Sequence, residues 1–407
     1  MEQQKKALNQ EIEALRGYAA LMVLFSHIVL FPEYWNTSGS LIGTYSNIGH
    51  FSVLVFFVLS GYVIGSVYKP HKPANPVLWA KKYLSKRFLR IYPIYLVAII
   101  LGVCACTTDG YKLILANLVF LQGIVTKPIF ANAPLWTLGF EIFYYILFVF
   151  VFLIGTPLAW VASASIVYGV VGYVFNLPFS GVFIGYVFWL AGLYIAHYLP
   201  KASTPIQYQK LVSLLLFFFV IADANGLYSL SYKILPQIIK RQWVHINDIF
   251  YLIPILFIFL YFCHHTFKWL AALKWISFLS PLPYFLLQMY KNTFWGNSYL
   301  CALLAIYVLS VALWVLPSHH FSAKMIQKLS LTGAISYAIY AVHFPLMHFC
   351  GKIPFLQTPY LYVFKALILC LAVLLLAYVL EKKFQPFVKN LLMPNPPEAK
   401  KDAKKVN

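Results

Sequence analysis

Apolar residues run in blocks of about 17 to 25 along nearly the whole chain, separated by short polar or proline-bearing loops. Blocks of that length cross a hydrocarbon core of ~30 Å as helices, because only a helix or a closed barrel satisfies its own backbone there. The pattern predicts spans near 15–33, 48–68, 91–107, 111–126, 134–154, 158–175, 180–199, 211–228, 248–266, 275–290, 299–316, 331–350 and 360–380. Basic residues then orient them. Lys5, Lys6 and Arg16 place the start of the chain inside, and the seven Lys/Arg of "YKPHKPANPVLWAKKYLSKRFLR" after the second block agree. The segment "YKILPQIIKRQ" and the tail "EKKFQPFVKNLLMPNPPEAKKDAKKVN" want the same side. An inside start and an inside end require an even number of crossings, so one of the thirteen blocks must fail to cross.

The block 275–290, "WISFLSPLPYFLLQMY", is short and carries Pro281 and Pro283, which interrupt helical hydrogen bonding. It is the expected exception, leaving twelve crossings, or ten if a pair is lost through the short block 111–126. The expected fold is an all-α polytopic membrane protein of about 10–12 transmembrane helices with cytoplasmic N- and C-termini. Residues 1–388 would form the membrane domain, and 389–407 a basic, disordered cytoplasmic tail. Residues 1–30 read as an uncleaved first span, since no small-residue cleavage site follows them.

Composition agrees with the pattern. Of 407 residues 61% are hydrophobic and only 10% charged, against roughly 25% charged in soluble domains. The net charge of +20 sits in loops and tail beside apolar blocks, which suits membrane orientation and anionic headgroups. No basic groove with interleaved aromatics is present, so nucleic acid is excluded as a partner. The six cysteines lie in or beside apolar blocks, and Cys104-Ala-Cys106 lacks zinc-ligand spacing, so no metal site is expected.

A few ionisable residues interrupt the blocks, and in hydrocarbon each costs several kcal/mol unless paired or facing a cavity. In "EALRGYAALMVLFSHIVLF", Arg16 and His27 are eleven residues apart, about three helical turns and ~16.5 Å, so they share one face of one helix. That face could line a cavity with a cation at its mouth and a titratable base at depth. Alternatively, Arg16 anchors the helix and His27 makes an interhelical hydrogen bond. In "KRFLRIYP", Arg87 and Arg90 neighbour each other on a helix at the inner surface, two planar forks suited to phosphate oxygens or to lipid headgroups. Within "PLWTLGFEIFYY", Glu141 is the acid most clearly inside a span, and it needs His27, an arginine or a proton. Asp223 reads as interfacial, and Asp248 as a helix-opening residue favoured by the dipole. Ser336, Tyr340 and His343 of "ISYAIYAVHFPL" form a polar stripe down one helix, and Ser60-Gly61 of "FFVLSGYVIG" suits close helix packing.

Taken in order, "ALRGYAALMVLFSH", "FFVLSGY", "RFLRIYP", "LWTLGFEIFYY" and "SYAIYAVHFPL" resemble the acyltransferase family 3 integral membrane proteins, which include bacterial O-acetyltransferases of surface polysaccharides. A terminal "LAYVLEKKFQPF" resembles the family's last span, with the usual proline displaced to Pro386. The resemblance covers residues 11 to 388. It implies a bacterial inner (cytoplasmic) membrane protein that takes an acyl group, acetyl above all, from cytoplasmic acetyl-CoA. The acceptor would be a hydroxyl on a glycan or lipid-linked sugar such as O-antigen or lipopolysaccharide. It also implies catalytic roles for His27, Glu141 and Arg16, and coenzyme A binding by Arg87, Arg90 and Arg16. Ser60, Trp136, Tyr340 and His343 would bind substrate or support the site. In that setting His27 is a general base or a transient acyl carrier, and Glu141 fixes its tautomer. Two other readings stand beside this one. Membrane histidines, a buried glutamate and broken helices also describe a proton-coupled transporter of a small molecule or glycan precursor. The polar residues could instead be interhelical glue in an envelope assembly protein.

Overall fold

The computed structural model describes residues 2–30, 47–69, 73–106, 110–234, 243–317, 320–353 and 362–392. The tail beyond 392 and most of the basic segment before 243 lie outside the described residues. The elements that matter for the site are α1 (Glu2–Leu30), α2 (Ile48–Val67), α3 (Pro76–Ala105), α4 (Tyr111–Leu118), α5 (Trp136–Ile154), α6 (Leu158–Val174), α7 (Ser180–Tyr198) and α8 (Tyr208–Asp223). They are followed by α9 (Gly226–Ile234), α10 (Leu252–Phe262), α11 (Leu270–Leu279), α12 (Pro281–Tyr290), α13 (Ser298–Val315), α14 (His320–Gly333), α15 (Ser336–Gly351), α16 (Tyr362–Val379) and α17 (Gln385–Leu392). No strand occurs among the described residues, only two isolated backbone bridges. The protein is an all-α polytopic membrane protein.

Among the described residues, nine helices are long and apolar enough to cross a bilayer, or ten if the pair Phe321–Gly333 and Ser336–Gly351, bent by 66°, counts as one span. Two shorter apolar helices, Leu158–Val174 and Ile246–Phe262, would bring the described set to twelve. That is the even number the basic segments ask for, reached by a different exclusion. Leu270–Tyr290 is one of the nine, contrary to the expectation that 275–290 fails. Pro281 and Pro283 fall in the first turn of α12, and Ser280 before them stays in the right-handed helical region. At that position a proline removes no intrahelical hydrogen bond, so the apolar run continues across the junction. The block that does not cross is 111–126. There α4 has 8 residues, about 12 Å of rise, before Phe120 enters the left-handed region at φ 62° and the chain turns. The proposed boundary at 388 falls inside α17, so residues 389–392 continue a helix.

Polar contacts sort the helix ends. At one end, which carries Arg16, Arg87 and Arg90 and is called here the basic end, Tyr208 at the start of α8 donates to Glu11 of α1 at 2.9 Å. At the opposite end Asp223 closes α8, accepting from the backbone N–H of Asn47 and from the Tyr299 hydroxyl. Asp248 there caps its own 3-10 turn, accepting from the His245 backbone N–H, as its helix-opening position suggests, and it also meets His50 Nε2 at 2.8 Å.

Without a hydrophobic drive between helices in lipid, close approach at small residues holds the bundle together. A Cβ on Gly61 would lie 1.9 Å from the carbonyl oxygen of Trp189, and one on Gly192 would lie 1.9 Å from that of Val58. Helices α2 and α7 therefore run parallel in backbone contact. α1 and α14 meet the same way, with Gly333 against the Glu13 carbonyl and Gly17 against that of Leu329. This contact fixes Arg16 on α1 and the start of α15 relative to one another. Because backbone cannot move aside as a side chain can, Gly192→Val should cost at least the ~1–3 kcal/mol typical of overpacking. Its fluorescence-detected chromatography peak after a heat step should collapse at a lower temperature than wild type, whereas exposed Gly110→Ala, where a Cβ meets nothing within 4 Å, should match wild type.

Candidate active site

Helices α1, α2, α3, α5 and α15 enclose a chamber of about 240 Å³ toward the basic end. Arg16, Ser60, Arg87, Arg90, Glu141 and Tyr340 all line it, together with Tyr145, Ser336 and Tyr337. Seven positions singled out from the sequence, spread over five helices, thus face one cavity. Asn75 starts α3 by accepting from the Leu78 backbone N–H at 2.9 Å, with Pro76 at the first helical position, and this start sets where Arg87 and Arg90 fall.

The three arginines are held in three different ways. Arg16 pairs with Glu13 one turn earlier on α1, an acid that the sequence pattern did not single out. Arg90 donates to Glu381 through both terminal nitrogens, Nη1 to Oε2 at 2.6 Å and Nη2 to Oε1 at 3.1 Å, and Nη1 also reaches Gln385. Gln385 closes the loop by donating from Nε2 to the Arg90 carbonyl. A π-helical turn at Leu380–Phe384 carries Glu381, and the extra residue in that turn re-aims it. Arg87 has no carboxylate partner among the described residues. Its guanidinium lies over the rings of Tyr68, Tyr83 and Tyr145 at 5.9, 5.7 and 5.9 Å, and its Nε is buried without an acceptor. Three ring faces stabilise the cation without neutralising it, so its charge stays available to an anion in the chamber.

Among the described residues, Glu141 does not meet His27 or an arginine. Its Oε1 accepts from Ser60 Oγ at 2.9 Å and from the Tyr145 hydroxyl. Ser60 in turn accepts from Trp189 Nε1 at 3.2 Å. Ser60 thus has a polar role that its small-residue neighbour hid, while Gly61 beside it makes the helix contact. The expectation that Glu141 orients His27 is corrected: Ser60 of α2 and Tyr145 of its own helix take the carboxylate, which lines the chamber, whereas His27 does not.

Among the described residues, the imidazole that His27 meets is that of His343. The two rings lie with centroids 4.9 Å apart, and His343 Nε2 is 3.3 Å from His27 Nδ1. Their tautomers follow from the carbonyls around them. His343 Nδ1 is 2.8 Å from the Tyr340 carbonyl, which can only accept, so that nitrogen carries the hydrogen and Nε2 the lone pair. His27 Nδ1 is 2.8 Å from the Val23 carbonyl and must also carry its hydrogen, shared with His343 Nε2. The lone pair of His27 is therefore on Nε2, the arrangement a general base requires. Neither histidine lines the chamber. Tyr340, which does, stands between, its ring centroid 6.0 Å from that of His343.

Tyr340 is fixed by its hydroxyl, which meets Thr137 Oγ1 at 2.6 Å and donates to the Pro134 carbonyl. Trp136 is not in the chamber wall. It stacks on Trp243 at 5.2 Å and packs edge-on against Phe140, a supporting position. Sequence reasoning missed Glu13, Tyr145, Trp189, Tyr337 and Glu381 as site residues. Only Glu381 left a signal, as an acid flanked by lysines at the end of the last apolar block. Among the described residues no three His, Cys, Asp or Glu side chains converge as metal ligands, and all six cysteines are free thiols.

Fold and site together define a multi-pass membrane protein with a cation-walled chamber opening toward one bilayer face and a histidine pair deeper in the same bundle. The family described as an acyltransferase domain, acyltransferase family 3, matches residues 9–382, nearly the whole chain, and the chain belongs to it. It is a membrane acyltransferase. No curated protein and no solved structure matches this chain.

The Arg90–Glu381 clamp ties α3 to the end of the last apolar helix. Glu381→Gln should lower the stability of the detergent-solubilised protein by roughly 1.5–3 kcal/mol, the range for hydrogen bonds to charged groups. In a thermal double-mutant cycle with Arg90→Gln, the double variant should lose clearly less than the two singles added together. Strict additivity would mean that the pair is not coupled.

Proposed function

We propose that this acyltransferase moves an acyl group, acetyl above all, from cytoplasmic acyl-CoA to a hydroxyl of a cell-envelope glycan such as O-antigen or lipopolysaccharide, in the bacterial inner membrane. The observation that carries the reading is Arg87: a guanidinium walled by tyrosine faces, without a carboxylate, beside Arg16 and Arg90 in one chamber. A donor rich in phosphate charge is what such a wall attracts. The basic end would face the cytoplasm by the positive-inside rule, where acyl-CoA is found. Bound phosphates at the arginines would leave the thioester arm to run past Tyr340 toward the histidine pair.

There the acceptor hydroxyl gives its proton to His27 Nε2, and its oxygen attacks the thioester carbonyl carbon. The carbon–sulfur bond breaks, and the leaving thiolate takes the proton back from the imidazolium as the free thiol of coenzyme A. His343 acts through His27: its Nε2 accepts the Nδ1 hydrogen and keeps the basic nitrogen directed at substrate. Glu141, Ser60 and Tyr145 act on the other wall, where the carboxylate supports the cage around Arg87 and can accept from the substrate.

Mass spectrometry of envelope glycans should show an alkali-labile acetyl increment in cells expressing the wild-type protein and none in cells lacking the gene. His27→Ala at equal membrane abundance should lower the increment's formation rate by about 10²–10⁴-fold, the usual contribution of a positioned base. No increment in any sample would remove the glycan as acceptor. In membranes assayed with acetyl-CoA, Arg87→Gln should raise the donor KM by about ten- to a hundredfold while kcat changes little, since a charge-assisted contact contributes ~1.5–3 kcal/mol. A fall confined to kcat would take Arg87 out of donor binding.

A further inference from the structure

A second basic pocket lies at the same end of the bundle as the chamber but on the other side of α2. The loop from α7 to α8 and the loop from α10 to α11 are zipped together by backbone hydrogen bonds, Ala202 N to His264 O and Thr266 N to Pro200 O, each at 2.9 Å. Between them opens a pocket of about 370 Å³ lined by Lys201, Thr204, Lys210, His264, His265 and Thr266 among others. Among the described residues, its wall contains no Asp or Glu.

The polar atoms around Lys201 fix one direction of hydrogen bonding. His265 Nδ1 is 2.9 Å from the Leu199 carbonyl and so donates to it, which makes Nε2 an acceptor. The Tyr62 hydroxyl, 3.1 Å from that Nε2, donates to it and accepts from Lys201 Nζ at 2.8 Å. Lys201 Nζ also donates to the Cys263 carbonyl at 2.8 Å. Two of the three ammonium hydrogens are thus spent on neutral oxygens, and the third has no protein acceptor among the described residues. Lys210 on the same wall lies over the Trp314 ring at 5.1 Å and has no ion pair either. Two cations are held in place by neutral groups on a zipped frame, with no counter-charge in the wall. Glu11, which meets the start of α8, accepts from Tyr208 and does not line the pocket.

We infer that this pocket is a second anion site, binding a phosphoryl group through Lys201 and Lys210, with Thr204 and Thr266 as hydroxyl donors. The phosphoryl group belongs either to an anionic lipid headgroup at the bilayer surface or to a soluble phosphate. Partial burial lowers the Lys201 amine to about 8, with Lys69 adding a smaller lowering effect. His265 is lowered to about 4 by burial and stays neutral above pH 6. A bound anion favours the charged amine, so binding is strongest below pH 8 and is lost as pH rises through that value. The other titratable groups around the site are Tyr62, Tyr261, Cys263 and His264, and Lys274 faces Lys210.

The test uses the full chain in phosphatidylcholine nanodiscs and reads acylation of Lys201 by an amine-reactive reagent, quantified by peptide mass spectrometry. Labelling is normalised to the exposed Lys268 of the neighbouring loop. Either millimolar inorganic phosphate or phosphatidylglycerol mixed into the nanodisc should protect Lys201 about fivefold or more near pH 7, and whichever does so identifies the source. Protection should vanish in Lys210→Gln and persist in Lys210→Arg. Unchanged labelling with both probes overturns the site. So does protection that chloride at equal ionic strength reproduces, or that Lys210→Gln leaves intact, since either result reflects only general screening. Because the readout is labelling and not transfer, it stands whether or not the glycan reading does.

Discussion

A charge inside a bilayer has no water to fall back on, so every guanidinium near the chamber must be stabilised by the protein or by what the protein binds. The three arginines show three solutions. Arg16 takes a neighbour on its own helix, and Arg90 takes a carboxylate delivered from the far end of the chain. Arg87 takes only ring faces. The Arg90 contact is a structural clamp that brings α3 and the last apolar helix into one wall, while the Arg16 contact is internal to α1. The third leaves a positive potential in the cavity. The chamber depends on this inequality: full pairing of all three would make a stable wall with little reason to attract an anion.

The same constraint explains the division of labour between the two polar groups. Glu141 is on the Arg87 side, attached to Ser60 and Tyr145, while His27 and His343 hold one another beyond Tyr340. A carboxylate beside His27 would stabilise the imidazolium and raise its basicity. A second neutral imidazole fixes the tautomer without adding charge. Separation of a cationic chamber from a neutral histidine pair suits a reaction whose donor is highly charged at one end and reacts at the other.

Close packing at glycine sets these distances. Gly61 and Gly192 bring α2 against α7, and Gly17 and Gly333 bring α1 against α14, with backbone oxygens where side chains would otherwise stand. Residues such as Ser60 and Arg16 are carried on those contacts, so their reach into the chamber is fixed by backbone and not by flexible side chains.

Much of this was legible in one dimension. Block length and charge placement gave an all-helical, multi-pass chain with both ends on one side, because hydrocarbon thickness and backbone satisfaction leave few alternatives. Helical periodicity alone put Arg16 and His27 on one face and Ser336, Tyr340 and His343 in one stripe, since these spacings are local. Which block fails to cross was not legible, because prolines at the start of α12 cost nothing once the helix restarts there. Nor was the pairing: Glu141 with Ser60 and Tyr145, Arg90 with Glu381, His27 with His343. Those contacts join residues separated by as many as 316 positions. Only packing of the helices decides which polar group each one meets, because in lipid many pairings would satisfy the same charges and the sequence pattern is indifferent among them.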